Sequence, residues 1–363
     1  MRCSTRRSCH PSGGSRDDGQ VSPSTVPTRA PVSRGVDLPV QQPFDAPGVF
    51  GFLAARAVAG VEHADLTGDR LRYARTLVLP HGPGTIDLVA SPAAGSWQVH
   101  VDLELTSAAD LDPAVARVRH LLDLDADPVT VDTALAADPV LAPLVERTRG
   151  IRVPGAVDAH EILVRAMVGQ QISVAAATTH LARLTTEAGS RHASQIPGLD
   201  RLFPTAAQIV RAVPAPVPGE PLDPDRPLRL PGQGVRSLVA TCGALADGSL
   251  DLAAGGGPAR AGGSETAAAS DPAASPDPGA LRARLVERRG IGPWTASYVA
   301  MRVLGDPDAW LLGDVALLAG AQAVGAIPRD LPRGPGHRAL ADRAATWAPW
   351  RSYAAMHLWQ AAA

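Results

Sequence analysis

The stretch from Leu281 to Val303 constrains the fold of this chain more than any other. Leu281, Leu285 and Val286 recur at helical spacing and give one apolar face. Gly290-Ile291-Gly292 then interrupts the pattern. Two glycines around one aliphatic residue allow a tight turn and a close approach of the backbone to a partner. Ile291 is expected to pack inward and pin that turn. Pro293 suits the first turn of a second helix, with Ala296, Val299, Ala300 and Val303 facing inward. The N-terminus of that helix presents unpaired N–H groups and the positive end of its dipole, which together attract an anion. The segment therefore reads as a helix-hairpin-helix whose backbone amides hold a phosphate without reading bases. An ordinary helical corner closed by a glycine cap would use the same glycines. The Thr295-Ala296 that follows, between two amphipathic helices, favours the phosphate-binding reading.

The rest of the composition narrows the chemistry. A chain of 363 residues is long enough for two or three domains with cores. Its net charge of -2 gives no global basic field, so contact with nucleic acid must come from local geometry. All 34 Lys+Arg residues are Arg. Codon bias explains this, since Ala, Gly and Pro are also abundant. The chemical consequence is that no side-chain amine can form a Schiff base. Cys3, Cys9 and Cys242 are too few and too scattered for a four-ligand zinc site, an iron–sulfur cluster or a disulfide framework. No apolar run reaches the roughly 18 residues of a membrane span, and residues 1–20 lack the apolar centre of a secretory signal. A cytoplasmic, nucleoid-associated monomer is expected.

Residues 1–37, rich in Ser, Pro, Gly and Arg without periodicity, read as a disordered tail. Residues 38–110 read as a small α+β domain with an antiparallel sheet covered by helices on one face. Within it a helix follows Pro47-Gly48, from Phe50 through Val61. Strands run from Leu71 to Leu79 and from Thr85 to Ala90, with Pro80 to Gly84 as the turn between them. Trp97, Val99, Val101, Leu103 and Leu105 alternate with polar residues, the period of a half-buried strand. Residues 111–363 read as an all-α helix-hairpin-helix region. Asp112-Pro113 suggests a helix cap followed by proline, and Asp158 with Glu161 a capping box. The Pro-rich segment 213–229 and the low-complexity segment 254–279 read as surface loops, the second disordered.

Downstream of the hairpin, Asp314 opens the apolar run Val315-Ala316-Leu317-Leu318. Spacing alone makes it a helix N-cap. That role does not exclude chemistry, because cap hydrogen bonds hold a carboxylate rigidly and favour its ionised form. An ionised carboxylate can stabilise the positive charge that develops on a sugar when a glycosidic bond breaks.

Four ordered segments carry a family resemblance. They are Gly290-Ile-Gly-Pro-Trp-Thr-Ala-Ser-Tyr298 with Leu311-Leu-Gly-Asp314; Phe44-Asp45 with Gly51-Phe-Leu-Ala-Ala-Arg-Ala-Val58; Arg165-Ala-Met-Val-Gly-Gln-Gln-Ile-Ser-Val174; and Trp347-Ala-Pro-Trp-Arg-Ser-Tyr-Ala-Ala-Met-His-Leu-Trp359. Together they resemble the endonuclease III superfamily and, within it, the AlkA-type 3-methyladenine DNA glycosylases. The resemblance implies that Asp314 is the catalytic carboxylate. It implies that Gly290, Ile291, Gly292 and Thr295 bind the DNA backbone, and that Trp294, Tyr298 and Trp359 line the base pocket. Gln171 falls where the family places the wedge that fills the gap left by a flipped base. Main-chain carbonyls of Val286, Arg288 and Ile291 would hold a Na+ or K+ ion; no other cofactor, and no iron–sulfur cluster, is implied. Trp294 stands where bifunctional relatives carry a lysine.

The implied partner is double-stranded DNA containing alkylated bases, and the implied reaction is hydrolysis of the N-glycosidic bond in base excision repair. The base must be flipped out to be reached. A ring-alkylated purine is cationic, and each aromatic face is worth about 0.5–2 kcal/mol to a cation. Such a base already leaves easily, so no general acid is needed. Trp347, Trp350 and His357 read as structural residues. Two alternatives remain open: a glycosylase for oxidised or deaminated bases, and a non-catalytic damage-binding or regulatory module. Cys3 and Cys9 do not rebuild the zinc site of the Ada-type regulator fused to some relatives.

Overall fold

The computed structural model describes residues 31–221, 223–252 and 277–362. The chain opens with an antiparallel sheet of five strands: β1 (Val32–Leu38), β2 (Glu62–Asp65), β3 (Leu71–Leu79), β4 (Gly82–Ala93) and β5 (Ser96–Leu105). Their order across the sheet is β1-β5-β4-β3-β2. The β4–β5 hairpin closes over Ala94-Gly95, with φ of 46° and 84°. Positive φ at both turn positions matches the right-handed twist of paired strands. The alternation predicted for β5 is present: Val99, Val101, Leu103 and Leu105 are buried. The β3–β4 turn is tighter than the five residues expected. Leu79 pairs with Gly82, so only Pro80-His81 lie outside the ladder.

Strand β1 corrects the expected tail. Residues 32–37 are not disordered but pair along β5, from Val32↔Leu105 to Leu38↔Val99. Only Leu38 of this edge strand is buried. Val32, Val36 and Leu38 share the face that packs on the sheet's core, but Arg34 interrupts the alternation, and the ladder with β5 supplies the rest of the strand's order. Residues 1–30 lie outside the described residues.

Among the described residues, thirteen α-helices accompany the sheet. The first, α1 (Ala46–Ala54), packs on it and precedes β2. Asp45 caps α1 by accepting the Gly48 N–H at 2.9 Å, and Pro47 lies in the first turn. The expected extension to Val61 does not occur; Val58 and Val61 are buried in the turn into β2. After β5 come α2 (Leu111–Leu121), α3 (Pro128–Ala136), α4 (Ala142–Arg147), α5 (Ala159–Val168), α6 (Val174–Ala188), α7 (Ala206–Ala212) and α8 (Gly232–Ala246). Then follow α9 (Pro278–Val286), α10 (Pro293–Leu304), α11 (Val315–Ala323), α12 (Arg333–Ala344) and α13 (Arg351–Ala361). Among the described residues, no helix is long and apolar enough to cross a membrane.

Three local expectations change. Asp112 lies inside the first turn of α2 rather than capping it, because a 3-10 turn capped by Ser107 leads directly into the helix. Helix α2 buries Ala114, Val118 and Leu121 against the sheet, so the sheet's core extends past residue 110. Helix α9 starts at Pro278 with Asp277 as its cap, so 277–279 belong to the helix and not to a disordered loop. The remainder of that loop, 254–276, lies outside the described residues.

The helical part has two apolar cores. One gathers α5 to α9 with Ile291, Ala296, Val299 and Ala300; the other gathers α3, α4 and α11 to α13 with Met301. Helix α10 is the partition between them. Helix α5 is tied to the sheet by buried charges. Arg75 of β3 reaches Glu161 at 2.7 Å and Glu62 at 3.3 Å. Arg165 reaches Glu62 at 2.5 Å and Glu161 at 2.7 Å, and the Tyr73 hydroxyl donates to Glu62. The capping box expected at Asp158 is therefore half made: Asp158 accepts the Glu161 N–H at 2.8 Å, while the Glu161 carboxylate is spent on the two arginines.

Candidate active site

The hairpin between α9 and α10 is built by three constraints. Gly290 has φ of 89°, where a side chain is strained. A Cβ there would also lie 2.6 Å from Ser237 of α8. Ile291 is buried in the first helical core, and its N–H donates to the Arg288 carbonyl at 3.1 Å. Ile291 thus shapes the turn; its amide is not free. Helix α10 begins at Gly292 without a side-chain cap. Its first-turn amides, those of Trp294 and Thr295, have no helical carbonyl to donate to, as at any such terminus. The Thr295 side chain is only 2% exposed, and its hydroxyl accepts the Gln170 amide at 2.9 Å. Gln170 also donates to the Gly290 carbonyl at 2.9 Å and so holds both sides of the turn. On α9, Leu281 and Leu285 are buried as expected, but Val286 is 45% exposed and does not belong to the inward face.

Asp314 is both cap and cleft residue. Its Oδ1 accepts the Leu317 N–H at 2.8 Å, which caps α11. The same oxygen accepts Trp359 Nε1 at 3.2 Å, and Oδ2 accepts Trp294 Nε1 at 2.9 Å. Three donors from three helices thus converge on one half-buried carboxylate. Gly313 before it has φ of 86°, which lets the chain reverse into α11. Trp294 stacks on Tyr298 at 5.2 Å with 6° between the ring planes. The three aromatic residues predicted for the pocket are brought together, with two of them serving the carboxylate as well.

These groups line a cleft of about 1340 Å³. Phe52 of α1 and Arg56, just past its C-terminal end, line one wall, and Gln171, in the turn between α5 and α6, lines the rim. Gln171 is exposed and held at φ 62°. At the inner end lies Arg302, only 1% exposed. Its guanidinium carbon sits 4.4 Å from the Phe52 ring centre, 5.1 Å from that of Tyr298 and 5.8 Å from that of Trp359. Burial pulls the Arg302 pKa down. Burial pushes the Tyr298 phenol up, but Arg302 and Arg56 outweigh it and hold the phenol below its ordinary value.

Phe52, Arg56, Gln170 and Arg302 were assigned no role from sequence. For Arg302 a signal existed: Trp294, Tyr298 and Arg302 stand at i, i+4 and i+8, one face of one helix. The residues read as structural are so placed. Trp347 is buried with Nε1 donating to Asp138 at 2.7 Å, and Trp350 meets Tyr353 edge-on. His357 is buried, and burial pushes its pKa down to about 4; its Nε2 has no hydrogen-bond partner among the described residues. It is structural but not fully satisfied.

An antiparallel sheet, a two-core helical body with a hairpin, and a carboxylate in an aromatic cleft define the fold class of the helix-hairpin-helix DNA glycosylases. A 3-methyladenine DNA-glycosylase from Archaeoglobus fulgidus superposes with a TM-score of 0.65 at 15% identity, covering 89% of this chain and 97% of that one. Residues 35–158 match the AlkA N-terminal domain family. DNA-3-methyladenine glycosylase 2 of Escherichia coli K12 is 30% identical over 88% of this chain and 94% of its own length. The chain belongs to the AlkA-type DNA-3-methyladenine glycosylase 2 family. A probable bifunctional transcriptional activator/DNA repair enzyme AlkA of Mycobacterium tuberculosis is 39% identical over 89% of this chain, which spans 56% of that relative's length.

Proposed function

We propose that this chain is a monofunctional DNA glycosylase that excises alkylated bases such as 3-methyladenine from double-stranded DNA by hydrolysing the N-glycosidic bond. The observation that carries the reading is the Asp314 carboxylate, held by Leu317, Trp294 and Trp359 at an aromatic cleft one helix away from a phosphate-binding hairpin. The amides at the start of α10 bind a DNA phosphate and set the register of the duplex. The damaged nucleotide swings out of the stack and its base enters the cleft, while Gln171 fills the space left behind. Trp294 and Trp359 fix Asp314 and present indole surface to a cationic base. The C1′–N bond breaks, its electron pair leaves with the base, and Asp314 stabilises the oxocarbenium-like sugar. Water then adds to C1′ and releases a proton to solvent. With no lysine in the chain, no side-chain amine is present to form the Schiff base of a strand-cleaving lyase.

The main-chain carbonyls of Val286, Arg288 and Ile291 would hold a monovalent cation at the turn. All three are hard oxygen donors, which suits Na+ or K+; such an ion would brace the turn against the phosphate. We place the enzyme in the cytoplasm, acting as a monomer on the nucleoid. Base release from duplexes carrying 3-methyladenine or 7-methylguanine tests the reading. Wild type should release the base without cutting the strand. Asp314→Asn should lose most of the release, about 10²–10³-fold, the effect of removing one oriented charge-stabilising group, while still binding abasic DNA. Full release by Asp314→Asn would overturn the assignment.

A further inference from the structure

The cleft is electrically polarised from end to end. At one end stands the Asp314 carboxylate, joined by hydrogen bonds to Trp294 and Trp359. At the other stands the Arg302 guanidinium, 5.8 Å from the ring centre of Trp359 and 5.1 Å from that of Tyr298, which itself stacks on Trp294. The same aromatic group thus bridges a negative and a positive terminus. Among the described residues no carboxylate forms an ion pair with Arg302, and its Nε has no hydrogen-bond partner. Nη1 donates to the Pro154 carbonyl at 2.7 Å, Nη2 lies 3.9 Å from the Met356 sulfur, and the guanidinium also donates a hydrogen bond to the Tyr298 hydroxyl. Of the other arginines lining the cleft, Arg75 and Arg165 are neutralised by Glu62 and Glu161, while Arg56 forms no ion pair among the described residues and lies 3.8 Å from the Phe52 ring centre, half-exposed rather than buried. A buried guanidinium without a counter-ion is a costly feature for stability alone, and arginine stays charged there.

We infer that Arg302 is the electrostatic counterpart of Asp314, stabilising the base as it leaves. The inference rests on the glycosylase reading above and deepens it. When the C1′–N bond breaks, its electron pair goes to the base nitrogen. A cationic alkylated purine leaves neutral, and a neutral purine leaves as an anion that solvent protonates. In both cases the base becomes one unit more negative while the sugar becomes positive. A carboxylate at the sugar end and a guanidinium at the base end both oppose less work along that change. The two lesion classes differ in the bound ground state. Arg302 repels a cationic base before cleavage, a repulsion relieved in the transition state, and does not repel a neutral one. It therefore accelerates release of both classes and weakens binding of the cationic class only.

The test uses duplexes with 7-methylguanine, cationic, and hypoxanthine, neutral, in single-turnover release and in equilibrium binding. The variants are Arg302→Met, Arg302→Gln and Arg302→Lys. Loss of a unit charge several ångström from the base should slow release of both lesions by about 10–100-fold in Met and Gln. Both variants should bind the 7-methylguanine duplex more tightly than wild type and the hypoxanthine duplex no more tightly. Arg302→Lys should stay within about threefold of wild type, since it keeps the charge. Folded neutral variants with wild-type rates, or a lysine variant as slow as the methionine one, would overturn the inference, as would unchanged binding of the cationic duplex. If neither neutral variant folds, competition on the wild-type enzyme decides. Free 9-methylguanine should compete about tenfold better than the permanently cationic 7,9-dimethylguaninium; equal competition refutes the role. Absence of base release by wild type from any alkylated duplex would instead defeat the glycosylase reading itself.

Discussion

Replacing Gly290 by alanine strikes the hairpin twice. At φ 89° an L-residue costs about 1–2 kcal/mol more than glycine. The new methyl would also lie 2.6 Å from the Cβ and Oγ of Ser237, too close to stay without movement. Ser237 sits in α8 and is itself buried, so it cannot swing away, and overpacking of this kind costs about 1–3 kcal/mol. The sum is about 2–5 kcal/mol, concentrated at one turn. Part of it can be relieved by opening the turn, which pulls the α10 amides out of register. Gly290→Ala should therefore weaken binding to abasic-site duplex by at least about tenfold. Its melting temperature should fall by several degrees or less where the turn relaxes. Fluorescence anisotropy and thermal melts measure the two effects. Ser237→Gly removes the clash and leaves the dihedral strain, so the double variant should recover part, not all, of the lost affinity beyond the effect of Ser237→Gly alone. Wild-type affinity in Gly290→Ala, or no coupling between the two positions, would refute the reasoning.

Two further outcomes concern the carboxylate and the buried charges. Trp294→Phe and Trp359→Phe each remove one N–H donor to Asp314 while keeping an aromatic ring. Each should slow base release by about tenfold, the loss of one charge-assisted hydrogen bond, with abasic-DNA affinity changed far less. Burial pushes the Glu161 carboxyl up, but Arg75 and Arg165 outweigh it and hold its pKa below the ordinary value. A lowered folded pKa means the stabilisation is fully present above the unfolded value of about 4.3. It is lost as pH falls through the lower folded value. Urea midpoints measured from neutral to acid pH should show that loss. Glu161→Gln should flatten the acid limb and cost about 3–5 kcal/mol at neutral pH, because two buried arginines lose a partner.

The sequence pattern anticipated best what is periodic and local. The alternation in β5, the limits of β3, the two hairpin helices and the inward Ile291 all follow from spacing and from glycine and proline chemistry. It missed β1 and β2: Arg34 breaks the apolar alternation of the first, and the inward position of the second is the charged Glu62. It placed Val286 inward because helical spacing cannot tell which side of a three-residue apolar stripe the core takes. Within the site, spacing alone left Asp314 a cap, and the cap is there; what it could not show is the pair of indoles that share the carboxylate from α10 and α13, 20 and 45 positions away along the chain.

By itself the sequence determined the turn at Gly290-Ile291-Gly292 and the absence of a side-chain amine, because dihedral preference and functional-group inventory are properties of single residues. Only the tertiary structure decided that the Thr295 hydroxyl is taken by Gln170, that Arg75, Arg165, Glu62 and Glu161 form one buried cluster, and that Arg302 lies under the aromatic cleft. Those are distances between residues far apart in the chain, and burial and charge pairing depend on such distances rather than on local pattern.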